Sequence, residues 1–289
     1  MEDKRDGAIW LASYPRSGNT WLRCLLEAYR RNGKLDLNDI RISSADGGAT
    51  LLRAISPIPL DQLGLSAQLL LRPAALLNLF CRLSSPMWIK THFANYQPDR
   101  MPPLIPEEFT KKAVYIVRDP RSVVLSMAKF FQFSIDAAVD TMNCKDFTIG
   151  DNIHFSSQLV SSWTNHAASW TSEKRFPVHI VRYEDMIKDT EKELTEILEF
   201  LGEEVDAETV KVAVKATNMA QLKQVEDAKG FQENRSSGGK FFNGGGIRWE
   251  DELGPKWIKK IEEAHGPVMK ALGYLDIANA EVTKLRSIT

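Results

Sequence analysis

The stretch Ile9–Tyr29, IWLASYPRSGNTWLRCLLEAY, decides how the rest of the chain is read. It opens with four apolar residues, Ile9-Trp10-Leu11-Ala12, which read as a short buried strand. A tight polar turn follows, Ser13-Tyr14-Pro15-Arg16-Ser17-Gly18-Asn19. A helix then begins near Thr20, with Leu22, Leu25, Leu26 and Tyr29 at helical spacing on its buried face. A strand, a glycine-containing turn and a helix N-terminus form an anion site. The first N–H groups of the helix lack intrahelical partners, and the helix dipole adds partial positive charge. Arg16, Ser17, Asn19 and Thr20 add donors, and phosphate is the anion this set suits best. The turn is not a Walker A loop, because GxxxxGK[ST] requires a second Gly and a Lys. A nucleoside triphosphatase is therefore disfavoured.

The string YPRSGNTW, Tyr14–Trp21, resembles the 5′-phosphosulfate loop of sulfotransferases that use 3′-phosphoadenosine 5′-phosphosulfate (PAPS). That loop usually reads YPKSGTTW or YPKAGNTW. This chain departs at Arg16, where the family has Lys. Arg keeps the charge but exchanges a point ammonium for a planar fork. The resemblance implies that Arg16, Ser17, Gly18, Asn19 and Thr20 hold the donor's 5′ end, with Arg16 also serving the transfer.

The composition is compatible with such an enzyme. The chain has 289 residues, 43% hydrophobic and 26% charged, as expected of a soluble globular protein. A net charge of −1 gives no global reason to expect nucleic acid or an anionic membrane as partner. Cys24, Cys81 and Cys144 are far apart and odd in number; they suit a reducing compartment and show no metal-ligand spacing. The charged start MEDKRDGAIW is followed by no apolar stretch long enough for a signal-peptide h-region, so it does not read as a signal peptide. A cytoplasmic protein is expected. The most apolar segment, Leu63–Leu83, is interrupted by Arg72-Pro73 and makes a poor membrane span. It is expected as a buried or substrate-facing helical pair, with a membrane-surface helix as the alternative.

Further along, residues 32–62 read as loops with one short helix. Met87–His92 is a short strand ending in polar groups. Ala113–Val117 is the clearest strand, β-branched and buried on both faces. A helix starts at Pro120. Residues 134–155 read as loop-rich, a lid candidate, and a helix is expected from Ser157 to Glu173. Val178–Tyr183 is a further strand. Helices follow over Asp189–Leu201, Ala207–Ala216 and Pro255–Leu272, and residues 223–248 read as a mobile loop. Strands alternating with helices predict an α/β fold, one domain spanning 1–289, with a mostly parallel central sheet and helices on both faces. The strand–loop–helix at Tyr14–Trp21 is its P-loop-like phosphate site. Ligands bind such sheets at the carboxyl ends of the strands.

Three more strings, Lys90–His92 and those opening at Arg118 and Tyr183, stand at those ends. Lys90-Thr91-His92 resembles the family's KTH motif, whose His is the general base; imidazole titrates near neutrality and so suits that task. Lys90 is then expected to neutralise charge on the transferring group. Arg118–Ser126, RDPRSVVLS, resembles the family's 3′-phosphate motif, with an Arg fork and a hydroxyl eight residues on. Trp21 and Tyr183, at the ends of YPRSGNTW and the start of YEDM, match the adenine-contacting positions; core packing is the other reading of both. Thr217-Asn218-Met219 falls where the family has a base-contacting segment. Its last cofactor motif, approximately RKGxxGDW, has only a partial counterpart in Phe242–Trp249. There Gly244 and Gly245 are expected to form an N–H nest for the 3′-phosphate. Lys240, Arg235 or Arg248 is expected to supply the charge of the missing Arg-Lys pair.

The resemblance spans Ile9 to about Trp249 and sits closer to bacterial members acting on natural products or glycolipids. It implies PAPS as co-substrate, no metal, and a small-molecule or lipid-like hydroxyl acceptor. Phe130, Phe131, Phe133 and Trp163 read either as an apolar acceptor site or as core. Two other classes stay open. A divergent nucleotide-dependent kinase would use Asp119 or Glu184-Asp185 to hold Mg²⁺, and a non-catalytic nucleotide-binding protein would share the fold.

Overall fold

Every residue of β1, Ala8–Ser13, is buried in the computed structural model, because strands flank it on both edges and helices cover both faces. The structure describes residues 7–42, 44–81, 85–150, 155–234, 240–242 and 248–275. Among these, the strands after β1 are β2 (Ser44–Ala45), β3 (Met87–Thr91), β4 (Thr110–Val117), β5 (Thr148–Ile149), β6 (Gln158–Leu159) and β7 (Val178–Arg182). The central sheet has the order β2-β3-β1-β4-β7 and every pairing in it is parallel. Parallel neighbours need long crossovers, and helices supply most of them here. β5 and β6 form a separate antiparallel pair.

Side chains alternate across the sheet, as a period of two requires. Trp10, Ala12, Tyr115 and Val117 face one core, and Ile9, Leu11, Val114, Ile116 and Val181 face the other. α1 (Asn19–Arg30) enters the second core with Leu22, Leu25 and Leu26. α2 (Ala49–Arg53) and α3 (Leu65–Phe80) pack together beyond β3. α4 (Pro120–Phe131), α5 (Ile135–Asn143) and α6 (Trp163–Thr171) line the first core. α7 (Tyr183–Lys188), α8 (Thr190–Leu201), α9 (Ala207–Ala216) and α10 (Met219–Lys229) cover the second. α11 (Trp249–Glu252) and α12 (Pro255–Ala271) close the first face.

Several elements differ from the sequence expectation. α3 runs unbroken through Pro73 as one helix rather than a pair. Pro removes one helical bond, but Leu69, Ala75, Leu76 and Phe80 are buried around it. The Arg72 guanidinium also anchors the helix, donating to the Leu104 carbonyl at 2.9 Å and to Asp46 at 2.8 Å. One edge of α3 stays open, with Leu70 and Leu77 exposed. Residues 135–143 are a helix and not a lid: Ser134 caps it, and Ala138, Val139 and Met142 point into the core. α6 starts only at Trp163, because β6 and a left-handed Ser161 precede it. Trp163 and Trp170 are fully buried, so Trp163 is core. α10 occupies the beginning of the segment read as a mobile loop. No single helix among the described residues is long and apolar enough to cross a bilayer.

The carboxyl ends of β1, β3, β4 and β7 lie along one edge of the sheet, as parallel strands must. That edge carries Tyr14–Gly18, His92, Arg118 and Tyr183.

Candidate active site

The loop after β1 turns twice through the left-handed region, at Arg16 (φ 67°) and Gly18 (φ 103°). Gly18 has a second reason to lack a side chain: a Cβ there would lie 2.5 Å from the Tyr183 ring. The N–H groups at the start of α1 have no intrahelical acceptor. Ser17 Oγ is buried beside them without a hydrogen-bond partner. The Asn19 side-chain amide donates to the Leu11 carbonyl at 2.8 Å and braces the loop on β1, while its backbone N–H is one of the donors at the start of α1. Thr20 Oγ1 accepts from Arg23 at 3.4 Å.

Arg16 and Arg118 meet at this loop. Arg118 donates from Nη1 to the Arg16 carbonyl at 3.2 Å, and Arg16 donates from Nε to Ser126 Oγ at 3.1 Å. The two motifs read as separate phosphate sites are thus in direct contact. Burial and the neighbouring Arg118 charge push Arg16 down to about 10, so it remains a cation at neutral pH. Its guanidinium lies between the rings of Phe130, at 4.3 Å, and Phe241, at 4.5 Å. A planar fork fits such a slot better than an ammonium does. Arg118 lies 4.4 Å over the Tyr183 ring, and its Nε is buried without a partner. Asp119 does not neutralise Arg118. It caps α4 and pairs with Arg121 at 2.7 Å. Among the described residues no carboxylate pairs with Arg16 or Arg118, and two such cations side by side are arranged for an anion.

His92 follows β3. Its Nδ1–H donates to the Ser13 carbonyl at 2.7 Å, with Ser13 Oγ at 3.3 Å. That bond fixes the tautomer with Nε2 as the acceptor. The backbone N–H of His92 donates to Gln158 Oε1 at 3.0 Å, so β6 holds the residue from the other side. Burial, then the Lys90 charge, push the imidazole down to about 3. Those surroundings differ from the near-neutral titration expected of an imidazole and favour the neutral ring over the physiological range.

Lys90 is paired. Its ammonium lies 3.1 Å from Glu233, whose two carboxylate oxygens also accept from Arg23 at 2.7 and 2.6 Å. Burial pushes Glu233 up, but Lys90 and Arg23 outweigh it and hold the carboxyl down at about 2. Neither Glu233 nor Arg23 was expected in the site. Arg23 left one trace in the sequence, a cation in the apolar helix α1, where it is almost fully buried. Glu233, in a charged stretch between helices, left none.

Trp21 and Tyr183 meet edge to face at 5.7 Å and are both largely buried. Trp21 Nε1 donates to the Thr217 carbonyl at 3.0 Å, which ties α1 to the end of α9. The Thr217 side chain is fully buried and its hydroxyl donates back to Ala213 at 2.8 Å. Gly244, Gly245 and Arg235 lie outside the described residues. Lys240 pairs with Asp227, and Arg248 lies 3.4 Å from Asp251. The chain before the glycines is fastened by Glu226, which accepts from Phe241 N at 2.7 Å and Phe242 N at 2.9 Å.

The family model described as "Sulfotransferase domain" matches residues 6–273. The chain is 26% identical to sulfotransferase 1A1 of Mus musculus over 230 residues, 78% of this chain and 71% of the relative. It is 26% identical to sulfotransferase 1E1 of Bos taurus over 222 residues, 76% of this chain and 68% of the relative. Among solved structures it is similar to mouse sulfotransferase SULT7A1 complexed with PAP. The TM-score is 0.60 and the identity 22%, over 92% of this chain and 84% of that one. It is also similar to retinol dehydratase in complex with androsterone and inactive cofactor PAP. There the TM-score is 0.61 and the identity 19%, over 91% and 80%. The structural likenesses bear on the fold.

Proposed function

The chain belongs to the sulfotransferase domain family, and from that we propose how its own residues move a sulfuryl group from PAPS to an acceptor hydroxyl. The acceptor oxygen attacks sulfur. Its bond to sulfur forms as the bond from sulfur to the bridging phosphate oxygen breaks. The hydroxyl proton passes to His92 Nε2, and the electron pair of the broken bond leaves with adenosine 3′,5′-bisphosphate. The protein's task is to hold a polyanion, orient the hydroxyl and take its proton.

The observation that carries this reading is the Arg16–Arg118 pair, uncompensated by any carboxylate among the described residues and set at a helix N-terminus. Two guanidiniums beside Ser17, Ser126 and free helix N–H groups suit a donor with a phosphate at each end. In this reading Arg16, Ser17, Gly18, Asn19 and Thr20 hold the 5′ end, and Arg118 with Ser126 holds the 3′-phosphate. Trp21, Tyr183 and Thr217 flank the adenine, and Lys90 stabilises charge on the sulfuryl oxygens. The fixed tautomer of His92 supports a base and disfavours a purely binding protein. The kinase reading is weakened because Asp119 and Glu184 are used within the fold. Asp119 pairs with Arg121, and Glu184 accepts from Asp119 N and from the Tyr274 hydroxyl, each at 3.0 Å.

The partly exposed row Phe130, Phe131 and Phe133 supports an apolar alcohol or phenol as acceptor. Three free thiols support a reducing, cytoplasmic setting. The test is thermal unfolding with adenosine 3′,5′-bisphosphate or with ATP and Mg²⁺, followed by transfer from labelled PAPS to a panel of alcohols and phenols. The bisphosphate should raise Tm far more than ATP. Equal shifts would sink the two-phosphate reading.

A further inference from the structure

Glu233 is an unusual neighbour for a site built to take anions. A carboxylate there opposes a polyanionic donor unless it does something else. Its surroundings indicate what. Both of its oxygens are gripped by one nitrogen of Arg23, at 2.6 and 2.7 Å, and that guanidinium is almost fully buried in α1. The next residue, Asn234, donates from its side-chain amide to Glu226 at 3.1 Å and from its backbone N–H to the Phe231 carbonyl at 3.0 Å, so the chain beside Glu233 is also held. The carboxylate is therefore a fixed point, and Lys90 reaches it at 3.1 Å. Lys90 itself stands on β3, paired in register with Leu11 of β1, so its backbone is as rigid as the sheet. What the sheet cannot fix is a four-carbon stem with a mobile ammonium.

We propose that Glu233 is a positioning residue for Lys90, and that Arg23 is its anchor. Arg23, Glu233 and Lys90 form a relay that runs from buried α1 to the ammonium at the end of β3. It places the Lys90 charge before the donor arrives, so that ordering of the side chain is not left to the transfer step. An ammonium has three N–H donors and can hold Glu233 while sharing others with a sulfuryl oxygen. The inference rests on the reading of Lys90 as a contact of the transferring group.

The relay predicts a split in the kinetic constants. Glu233→Gln keeps the shape and removes the charge. It should lower kcat by about tenfold to a hundredfold, the scale of a misplaced catalytic group. Binding of adenosine 3′,5′-bisphosphate, which lacks the sulfuryl group, should change by less than about twofold. In a Lys90→Met background the same substitution should have little further effect, since the two act as one unit. Glu233→Asp should recover part of the loss. Because Glu233→Gln leaves Arg23 buried without its counter-ion, Arg23→Met/Glu233→Gln is made alongside; it should fold and still show the lowered kcat. An unchanged kcat in Glu233→Gln overturns the proposal, as does an effect that simply multiplies with that of Lys90→Met. Tighter bisphosphate binding with unchanged kcat would make Glu233 a competitor of the donor and not a positioner. If the wild-type protein neither binds the bisphosphate nor transfers from PAPS, the donor reading itself fails, a result separable from all of these.

Discussion

Arg16 Nε donates to Ser126 Oγ at 3.1 Å, joining the loop after β1 to the second turn of α4 across 110 residues of sequence. The bond needs the in-line N–H of a guanidinium, and the rings of Phe130 and Phe241 hold that plane. Arg16→Lys keeps the charge and loses the Ser126 bond in this geometry. Activity should stay within about tenfold of wild type, whereas Arg16→Ala should lose about a hundredfold or more, the scale for removing one transition-state donor. Steady-state kcat/KM with PAPS as the varied substrate checks both. An Arg16→Ala variant close to wild type would take Arg16 out of the reaction.

Arg118 makes a different prediction. It has no carboxylate partner among the described residues, and it holds the Arg16 carbonyl at 3.2 Å. Truncating one partner of a buried charge pair costs about 2–4 kcal/mol. Arg118→Ala should weaken adenosine 3′,5′-bisphosphate binding by that amount, read by calorimetry. Stability without ligand should change little, because Arg118 and Arg16 repel each other until an anion arrives. Unchanged binding would remove Arg118 from the nucleotide site.

Much of this edge of the sheet was legible in the sequence. A four-residue apolar run, a glycine turn and a leucine-spaced helix have few other solutions, and the KTH and RDPRS strings stand at strand ends. What was not legible depends on contacts far apart in the chain. Pro73 argues for a helix break, yet Arg72 finds Asp46 and Leu104, and tertiary packing overrides the local signal. Residues 135–143 do carry a helix signal, with Ile135, Ala138, Val139 and Met142 at helical spacing behind a Ser134 cap, and the loop reading passed over it. The bond from the Asn19 side chain to the Leu11 carbonyl, which braces the loop on β1, left no sign in the sequence. Glu233 is one acid among many in a polar stretch, and its meaning comes entirely from Arg23 and Lys90, more than 140 residues away.

Acid should unfold this protein early. His166 and His265 are essentially fully buried, and burial holds them down at about 3 and about 4. In the unfolded chain both return to their ordinary value of 6.5. Between those values the unfolded chain binds protons that the folded one refuses. Stability is therefore full above about pH 6.5 and falls as pH drops, by up to about 1.4 kcal/mol per pH unit for each group. Urea midpoints measured from pH 7 to pH 5 should decline, and His265→Gln should flatten the slope. A midpoint independent of pH over that range would contradict the buried, neutral state of both rings.

The last prediction concerns His92. An acceptor hydroxyl is a poor nucleophile while it keeps its proton, and that proton becomes acidic only as the bond to sulfur forms. The base must then lie within hydrogen-bond reach with a lone pair available. The Ser13 carbonyl takes the Nδ1–H at 2.7 Å and leaves that lone pair on Nε2. Burial and Lys90 place the imidazole at about 3, so lowering the pH from 8 to 5.5 does not protonate it in the free enzyme. The pH profile of kcat/KM for an alkyl alcohol should accordingly show no acid limb near 6.5, provided the protein remains folded. A limb at that value would mean that the ring titrates as an ordinary histidine. His92→Asn should leave bisphosphate binding nearly intact and lower kcat by about 10²–10⁴ for the alcohol. A phenol needs less help to lose its proton, so the same variant should be less impaired on it. Wild type and His92→Asn are therefore assayed on one alcohol and one phenol. Equal activity of the two proteins on the alcohol removes His92 as the base, and lost nucleotide binding in the variant makes the residue a brace for the β1 loop.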